Sequence, residues 1–448
     1  MSLSITRLTV VSVTLLPVKP PPSRSSRNYP LLLAGQFLGA FGDNFVFAAI
    51  LGPLTFKLLA GRITEQDVNW QNLLFSAVFF IPFIVLAPFA GYLNDRRPKT
   101  TWLIGGNAIK LLGTAIGLFG VWLHEGDFAA SRHWQLLGYA VIGIGACVYS
   151  PAKYGILPEI LPAERLVKAN GTVEMLTLVA ILGGLWGGAK LFDHSRSLPL
   201  CYLVNAGFYV CALVLNAAMS RTPHDASAKL RDSVGAFGRS LRDLVLHPRL
   251  GRVLLGCGMF WFVGAVLRAN LQGWGLNAMQ TAGVAEITNE RLTLLKIGMI
   301  LGIVSGSLLA GQWHRTGDLS WTRRYGVLLA VSVALLGLVG GRAGLVVAIA
   351  LLVASGLASG LLLIPLNAAL QHESDPAKRG KTIAVQNFTD YFAMLAGMGF
   401  MALLTGAGLL ANGIFIAVAT TLALLALALR IPRLATARIA EAESVTES

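Results

Sequence analysis

Charged side chains set inside apolar runs are the places where this 448-residue sequence could do chemistry. Asp43 stands in Phe41-Gly42-Asp43-Asn44, Lys153 in Ser150-Pro151-Ala152-Lys153-Tyr154, and Arg268 in Val266-Leu267-Arg268. An Asp, Lys or Arg near the centre of a bilayer costs roughly 2.5–3.5 kcal/mol on insertion scales, so such a residue usually faces a polar cavity or a charged partner. At 1.5 Å per residue Asp43 lies about 18 Å into its run, near the midplane. Lys153 sits toward one end of its run, close enough to the interface to snorkel. Arg268 lies past the centre of its own run, on the opposite side. Asn107, Lys110, Glu174, Lys296 and Asp390 are further polar or ionisable residues within apolar runs. For all of these, an inter-helix contact that merely fixes packing is the alternative to a role in binding.

The elements that must position these residues are membrane helices. The chain is 55% hydrophobic and only 13% charged, with a mean hydropathy of +0.65, whereas a soluble domain carries roughly a quarter charged residues. That much apolar surface cannot be buried in one water-soluble core, so lipid must be part of the solvent. Apolar runs long enough to span predict twelve helices, over 30–58, 72–94, 100–123, 135–157, 166–191 and 199–219, then 252–278, 290–314, 321–340, 343–371, 380–407 and 410–430. Residues 30–219 and 252–431 are thus two six-helix halves. Residues 220–251 form a polar, amphipathic cytoplasmic linker, and 1–29 and 432–448 are cytoplasmic tails. The apolar stretch 8–18 is too short to span and lacks a small-x-small cleavage site, so it is a poor signal peptide.

Charge placement sets the orientation. With both termini cytoplasmic, the inside loops and tails hold about 25 Lys and Arg, against about five outside: Arg62, Arg132, Arg196, Arg291 and Arg342. Basic residues collect on the cytoplasmic side of such proteins. The net charge of +14 is therefore topogenic, and because the basic residues lie in short runs between spans, nucleic acid is not an expected partner. Cys147, Cys201, Cys211 and Cys257 lie in apolar segments without a C-x-x-C pair, so neither a metal site nor a disulfide framework is indicated. Walker A is absent, and none of the seven histidines precedes an aspartate by five residues, the spacing of a His-x4-Asp acyltransferase pair. The expectation is a carrier, not an enzyme, with no cofactor. Gly183-Gly184 and Gly187-Gly188 are small-x-x-x-small spacings that serve helix packing. Pro151 and Pro365 each stand eight residues before a glutamate, Glu159 and Glu373, an echo between the halves of the kind that parallel repeats leave.

The loop Gly91-x-x-x-Asp95-Arg96-Arg97-Pro98-Lys99 resembles the signature loop of the major facilitator superfamily, with Pro98 where that family usually has a second glycine. Gly91 would allow close helix approach, while Asp95, Arg96 and Lys99 would form a breakable charge lock at the cytoplasmic gate. The implied fold is all-α, the major facilitator fold of twelve transmembrane helices in two six-helix halves. In that fold spans 1, 4, 7 and 10 line the central cavity, which would make Asp43, Lys153 and Arg268 a charge ladder through it. Spans 3, 8 and 11, which carry Asn107, Lys110, Lys296 and Asp390, tend to sit farther out.

More specifically, Gly42-Asp43-Asn44, Tyr149-Ser-Pro-Ala-Lys-Tyr-Gly-Ile-Leu157, Leu166-Val-Lys-Ala-Asn-Gly171 with Glu174, Pro365-Leu-Asn-Ala368 and Ile383-Ala-Val-Gln-Asn387 resemble the bacterial lysophospholipid transporter family. The resemblance covers about residues 30–395. It implies flipping of lysophosphatidylethanolamine and related lipids from the outer to the inner leaflet of the inner membrane, where a partner acyltransferase that is also an acyl–acyl carrier protein synthetase would reacylate them. Carried onto matching positions, Asp43, Asn44, Lys153 and Arg268 would handle the headgroup; Asn107, Lys110, Glu174 and Asp390 are candidates, read from the residues alone, for a further polar pathway. A monomer is expected. The competing reading is a proton-coupled carrier or exporter of another small amphipathic solute, with Asp43 or Asp390 titrating.

Overall fold

The computed structural model describes residues 27–89, 96–125, 127–221, 230–314, 318–340, 342, 344–374 and 379–432. At 163–168, 170–171, 174, 230–233, 371 and 379–381 it describes the backbone alone. The described residues contain helices and no strands, as a chain in lipid requires, since every backbone N–H and C=O must be satisfied within its own segment.

The first half consists of α1 (Asn28–Leu59), α2 (Glu65–Val85), α3 (Lys99–Leu123), α4 (Phe128–Gly155), the single turn α5 (Leu157–Ile160), α6 (Ala163–Ser195) and α7 (Leu198–Ala217). A further helix, α8 (Leu230–Leu246), precedes the second half. That half consists of α9 (Leu250–Thr281), α10 (Asn289–Trp313), α11 (Thr322–Val339), α12 (Leu345–Glu373), α13 (Arg379–Gly406) and α14 (Ala411–Ala428). All of these except α5 and α8 are long and apolar enough to cross a membrane, giving the expected twelve spans.

Two spans start earlier than their apolarity predicts. The second begins at Glu65 instead of 72, and the fourth at Phe128 instead of 135. Both early stretches, 65–71 and 128–134, mix charged and polar residues among apolar ones, which reads as loop, yet Asn69 and Ser131 are buried there. Polar residues buried against protein leave no apolar signal. Each start is capped. Thr64 accepts from the Asp67 N–H while Asp67 accepts from the Thr64 N–H, and Asp127 accepts from the Ala129 N–H.

Small residues bring helices into backbone contact. A Cβ on Gly184 or Gly188 of α6 would collide with the carbonyl oxygens of Phe41 and Phe45 in α1, the packing role expected for that spacing. Gly302 and Gly306 of α10 meet Val353 and Leu357 of α12 in the same way.

The halves join through α2, whose Leu73 and Phe80 belong to the same buried apolar cluster as the second half's core. Phe83 of α2 stacks on Tyr391 of α13 with centroids 3.9 Å apart, and Phe80 lies 5.9 Å from the same ring. The amphipathic α8 packs Phe237 against Phe388 of α13. Both expected tails lie largely outside the described residues, as does 222–229 of the linker.

Candidate functional site

The first-half charge centre is built on α1. Asp43 stands fifteen residues into the helix, about 22 Å from its start at 1.5 Å per residue. Its Oδ2 accepts from Lys110 Nζ of α3 at 2.7 Å, and its Oδ1 accepts from the Tyr209 hydroxyl of α7 at 2.7 Å. The Tyr139 hydroxyl donates to the Asp43 backbone carbonyl at 3.3 Å. Lys110 Nζ lies over the rings of Tyr149 and Tyr209, 5.5 and 5.6 Å from their centroids. The two charged side chains are 3% and 12% exposed, a neutralised pair in a low-dielectric pocket. Beside it Asn107, one turn before Lys110, buries both amide atoms without a partner. Gly39 faces both: a Cβ added there would stand 3.3 Å from Asn107 Oδ1, a tight contact, and 3.5 Å from Lys110 Nζ, an ordinary one.

Lys110 therefore lies at the heart of this centre, although its span was expected to sit farther out. The expected ladder partners of Asp43 are arranged around the pair. Lys153, two residues from the end of α4, lies over the Tyr154 ring at 4.5 Å and close enough for its charge to act on Asp43. Arg268 stacks its guanidinium on Phe47 of α1 at 4.3 Å, beside the Tyr139 hydroxyl. Asn44 turns away from the pair, donating to the Ala40 carbonyl at 2.9 Å. The side chain of Glu174 and the loop residues Gly91 and Asp95 fall outside what the structure describes.

At the end of the bundle that carries the termini, Arg96 is exposed and Lys99 pairs with Glu159 just past α4. The second half has the equivalent contact: Arg249 holds Glu373 through two hydrogen bonds of 2.7 and 2.8 Å. Glu159 and Glu373, the two glutamates of the internal echo, thus each bind a cation. The sequence pattern pointed to the acids but not to Arg249, which reads as linker charge.

At the opposite end a hydrogen-bonded chain ties the halves together. Lys296 of α10 donates to Gln272 Oε1 at 2.9 Å, and the Gln272 amide donates to Thr55 Oγ1 of α1 at 3.0 Å. Thr55 donates in turn to Asn289, whose amide donates to the Gly52 carbonyl at 3.2 Å and to Asp193 of α6 at 2.7 Å. The Glu290 N–H donates to the other Asp193 oxygen at 2.8 Å. Nearby, Glu65 of α2 accepts from the Ala411 N–H at the start of α14. None of Thr55, Asp193, Gln272 and Asn289 stands out in the sequence, because Asp193 and Asn289 read as ordinary helix-end residues.

A third polar cluster lies between α9, α12 and α13. Gln386 donates to Asn367 Oδ1 at 2.8 Å, and Cys257 Sγ lies 3.4 Å from the same oxygen. Asp390, one turn after Gln386, is buried with Oδ1 lacking a hydrogen-bond partner. Chemically, the arrangement offers charged and polar groups inside both halves and a breakable seal between them at one end. Among the described residues no group of His, Cys, Asp and Glu has the makings of a metal site.

Comparison with known proteins agrees with this geometry. A family model described as Major Facilitator Superfamily matches residues 31–398. A protein of Photorhabdus laumondii subsp. laumondii named lysophospholipid transporter LplT is 33% identical over 391 residues, 86% of this chain and 90% of that one. One of the same name from Enterobacter sp. (strain 638) is 34% identical over 395 residues, 87% and 91% of the two chains. Among solved structures, a D-xylose–proton symporter superposes with a TM-score of 0.70 over 91% of this chain and 98% of its own, at 15% identity. A POT family transporter in complex with 5-aminolevulinic acid does so with a TM-score of 0.63 over 90% and 95%, at 13% identity. These two share the fold.

Proposed function

Because this chain belongs to the major facilitator superfamily, and within it to the bacterial lysophospholipid transporter family, we propose that it carries lysophospholipids across the membrane by alternating access. The observation that carries this reading is the set of charges within the spans: Lys153, the buried Asp43–Lys110 pair and the half-buried Arg268, which stacks across the halves on Phe47. A lysolipid tail is at home among apolar side chains, where each buried CH₂ is worth about 0.8 kcal/mol. Its headgroup is the part that cannot cross alone.

A zwitterionic headgroup can insert into the Asp43–Lys110 pair charge for charge. The ammonium replaces Lys110 at Asp43, and Lys110 turns to the phosphate, so no step leaves a bare charge in lipid. Arg268 and Lys153 stand on either side to receive and release the phosphate. The seal through Asp193 and Asn289 closes one end while the other is open. With the termini cytoplasmic, the sealed end faces outward, and transport runs from the outer to the inner leaflet of the inner membrane. An acyltransferase that is also an acyl–acyl carrier protein synthetase then consumes the lipid and pulls flux inward. The carrier works as a monomer and needs no catalytic group of its own.

The test is uptake of labelled lysophosphatidylethanolamine into proteoliposomes with and without the protein. Asp43→Asn should abolish uptake while the protein remains folded; uptake at the wild-type rate in that variant overturns the scheme. A proton-coupled carrier is the second reading, favoured by the buried, unpaired oxygen of Asp390. It requires that transport follow an imposed pH gradient and lose that dependence in Asp390→Asn.

A further inference from the structure

Two cations of the second half, Lys296 buried and Arg268 half-buried, stand without an acid among the described residues. Lys296 is 7% exposed, and its ammonium donates to a neutral amide, Gln272 Oε1. Arg268 stacks on Phe47 and buries its Nε without a hydrogen-bond partner. Among the described residues, the ion pairs join Lys99 to Glu159, Lys110 to Asp43, Lys190 to Glu290, Arg249 to Glu373 and His314 to Asp318. Neither Arg268 nor Lys296 is among them.

The two cations are also neighbours. Gln272 follows Arg268 by four residues in α9, which puts it on the same helix face one turn on. Lys296 holds that glutamine, and Arg268 is close enough for its charge to act on Lys296. Phe47, which carries Arg268 on its face, lines a small cavity together with Lys296, Gln272, Asn289 and Thr293. Like charges gathered inside a membrane protein without an internal counter-ion are tolerated where an anion can join them.

We propose that Lys296 and Arg268 together form an anion-binding centre that takes the phosphate of the transported amphiphile next to the seal. The proposal rests on the reading of this chain as a lysophospholipid carrier and adds Lys296 as a specificity-determining residue. Its position also supplies a coupling route. Lys296 drawn onto a phosphate releases Gln272, and Gln272 is the donor to Thr55 in the chain that ties α1 to Asn289 and Asp193. A phosphate on Lys296 therefore competes with the seal, and its departure toward the inside lets Gln272 return to Lys296 and Thr55.

The experiment uses the full chain in a phosphate-free maltoside detergent and reads melting temperature against lipid concentration. The probes are 12-carbon lysophosphatidylethanolamine, 12-carbon lysophosphatidic acid, 12-carbon monoacylglycerol and inorganic phosphate. Wild-type protein should be stabilised by the two phosphate-bearing lipids well beyond monoacylglycerol, and inorganic phosphate should give no comparable shift. Lys296→Met, and Lys296→Gln as a second neutral variant, should weaken apparent binding of both phosphate lipids at least tenfold and leave monoacylglycerol unchanged. Lys296→Arg should restore binding of the phosphate lipids. Neutral variants that bind all probes like wild type, or lose all of them equally, overturn the proposal. A wild-type shift from inorganic phosphate as large as the lipids' overturns the assignment to a headgroup. If wild-type proteoliposomes transport no lysophospholipid while phosphate selectivity depends on Lys296, the transport reading alone falls. If transport is robust and unchanged in the neutral variants, the anion centre alone falls.

Discussion

Lys110 in the first half and Lys296 in the second are buried to nearly the same degree, 3% and 7% exposed, and both rise from spans expected to sit away from the pathway. Lys110 reaches a carboxylate at 2.7 Å with a tyrosine hydroxyl on the other oxygen; Lys296 reaches only an amide oxygen at 2.9 Å. The first half is thus charge-balanced at its centre, while the second holds two cations near the seal and, in another cluster, a carboxylate with an unsatisfied oxygen. Balanced charge holds helices in register. Unbalanced charge in a membrane protein points to something that arrives from outside.

The sharpest way to break this comparison is to neutralise each lysine in the absence of substrate. Lys110→Met strands the Asp43 carboxylate and should cost about 3–5 kcal/mol of stability, read as a large drop in the melting temperature of the purified protein. Pairing it with Asp43→Asn should recover part of that loss. Lys296→Met removes a cation with no acid beside it and should leave the melting temperature unchanged or raised. Equal losses from the two lysine variants would erase the distinction between the halves.

The seal should respond next. Asn289→Ala removes the residue that joins Thr55, Gly52 and Asp193, at a cost of about 2–3 kcal/mol to the sealed arrangement. Spin labels placed at the ends of α6 and α10 away from the termini should then report a longer distance. An unchanged distribution would mean that apolar contact alone closes this end.

The smallest effects belong to the glutamates at the other end. Glu373→Gln breaks a two-bond contact to Arg249 between side chains 9% and 8% exposed, worth about 1.5 kcal/mol. Glu159→Gln breaks a wetter pair, 15% and 19% exposed, worth about 0.5 kcal/mol. Thermal unfolding should rank them in that order; the reverse rank would argue that the Lys99 contact is the principal clasp.

Local information carried the sequence a long way here. Whether a segment spans a bilayer depends on its own length and apolarity, so twelve spans could be drawn and most limits fell within a few residues of the helices. The depth of each charge along its helix follows from the same count, which is why Asp43 could be placed near the midplane. The glutamates after Pro151 and Pro365 were visible because repetition is itself a sequence pattern.

What only the tertiary structure decided is which charge meets which. Asp43 and Lys110 are 67 residues apart, and their contact depends on how α1 and α3 are rotated against each other. An apolar run carries little information about that rotation, since lipid-facing and protein-facing sides look alike. The same blindness hid the early turns of α2 and α4, whose polar residues are buried against protein, and the seal through Asp193 and Asn289. Sequence determined that charge lies in the membrane and at what depth; packing determined that one lysine is answered from within and the other is not.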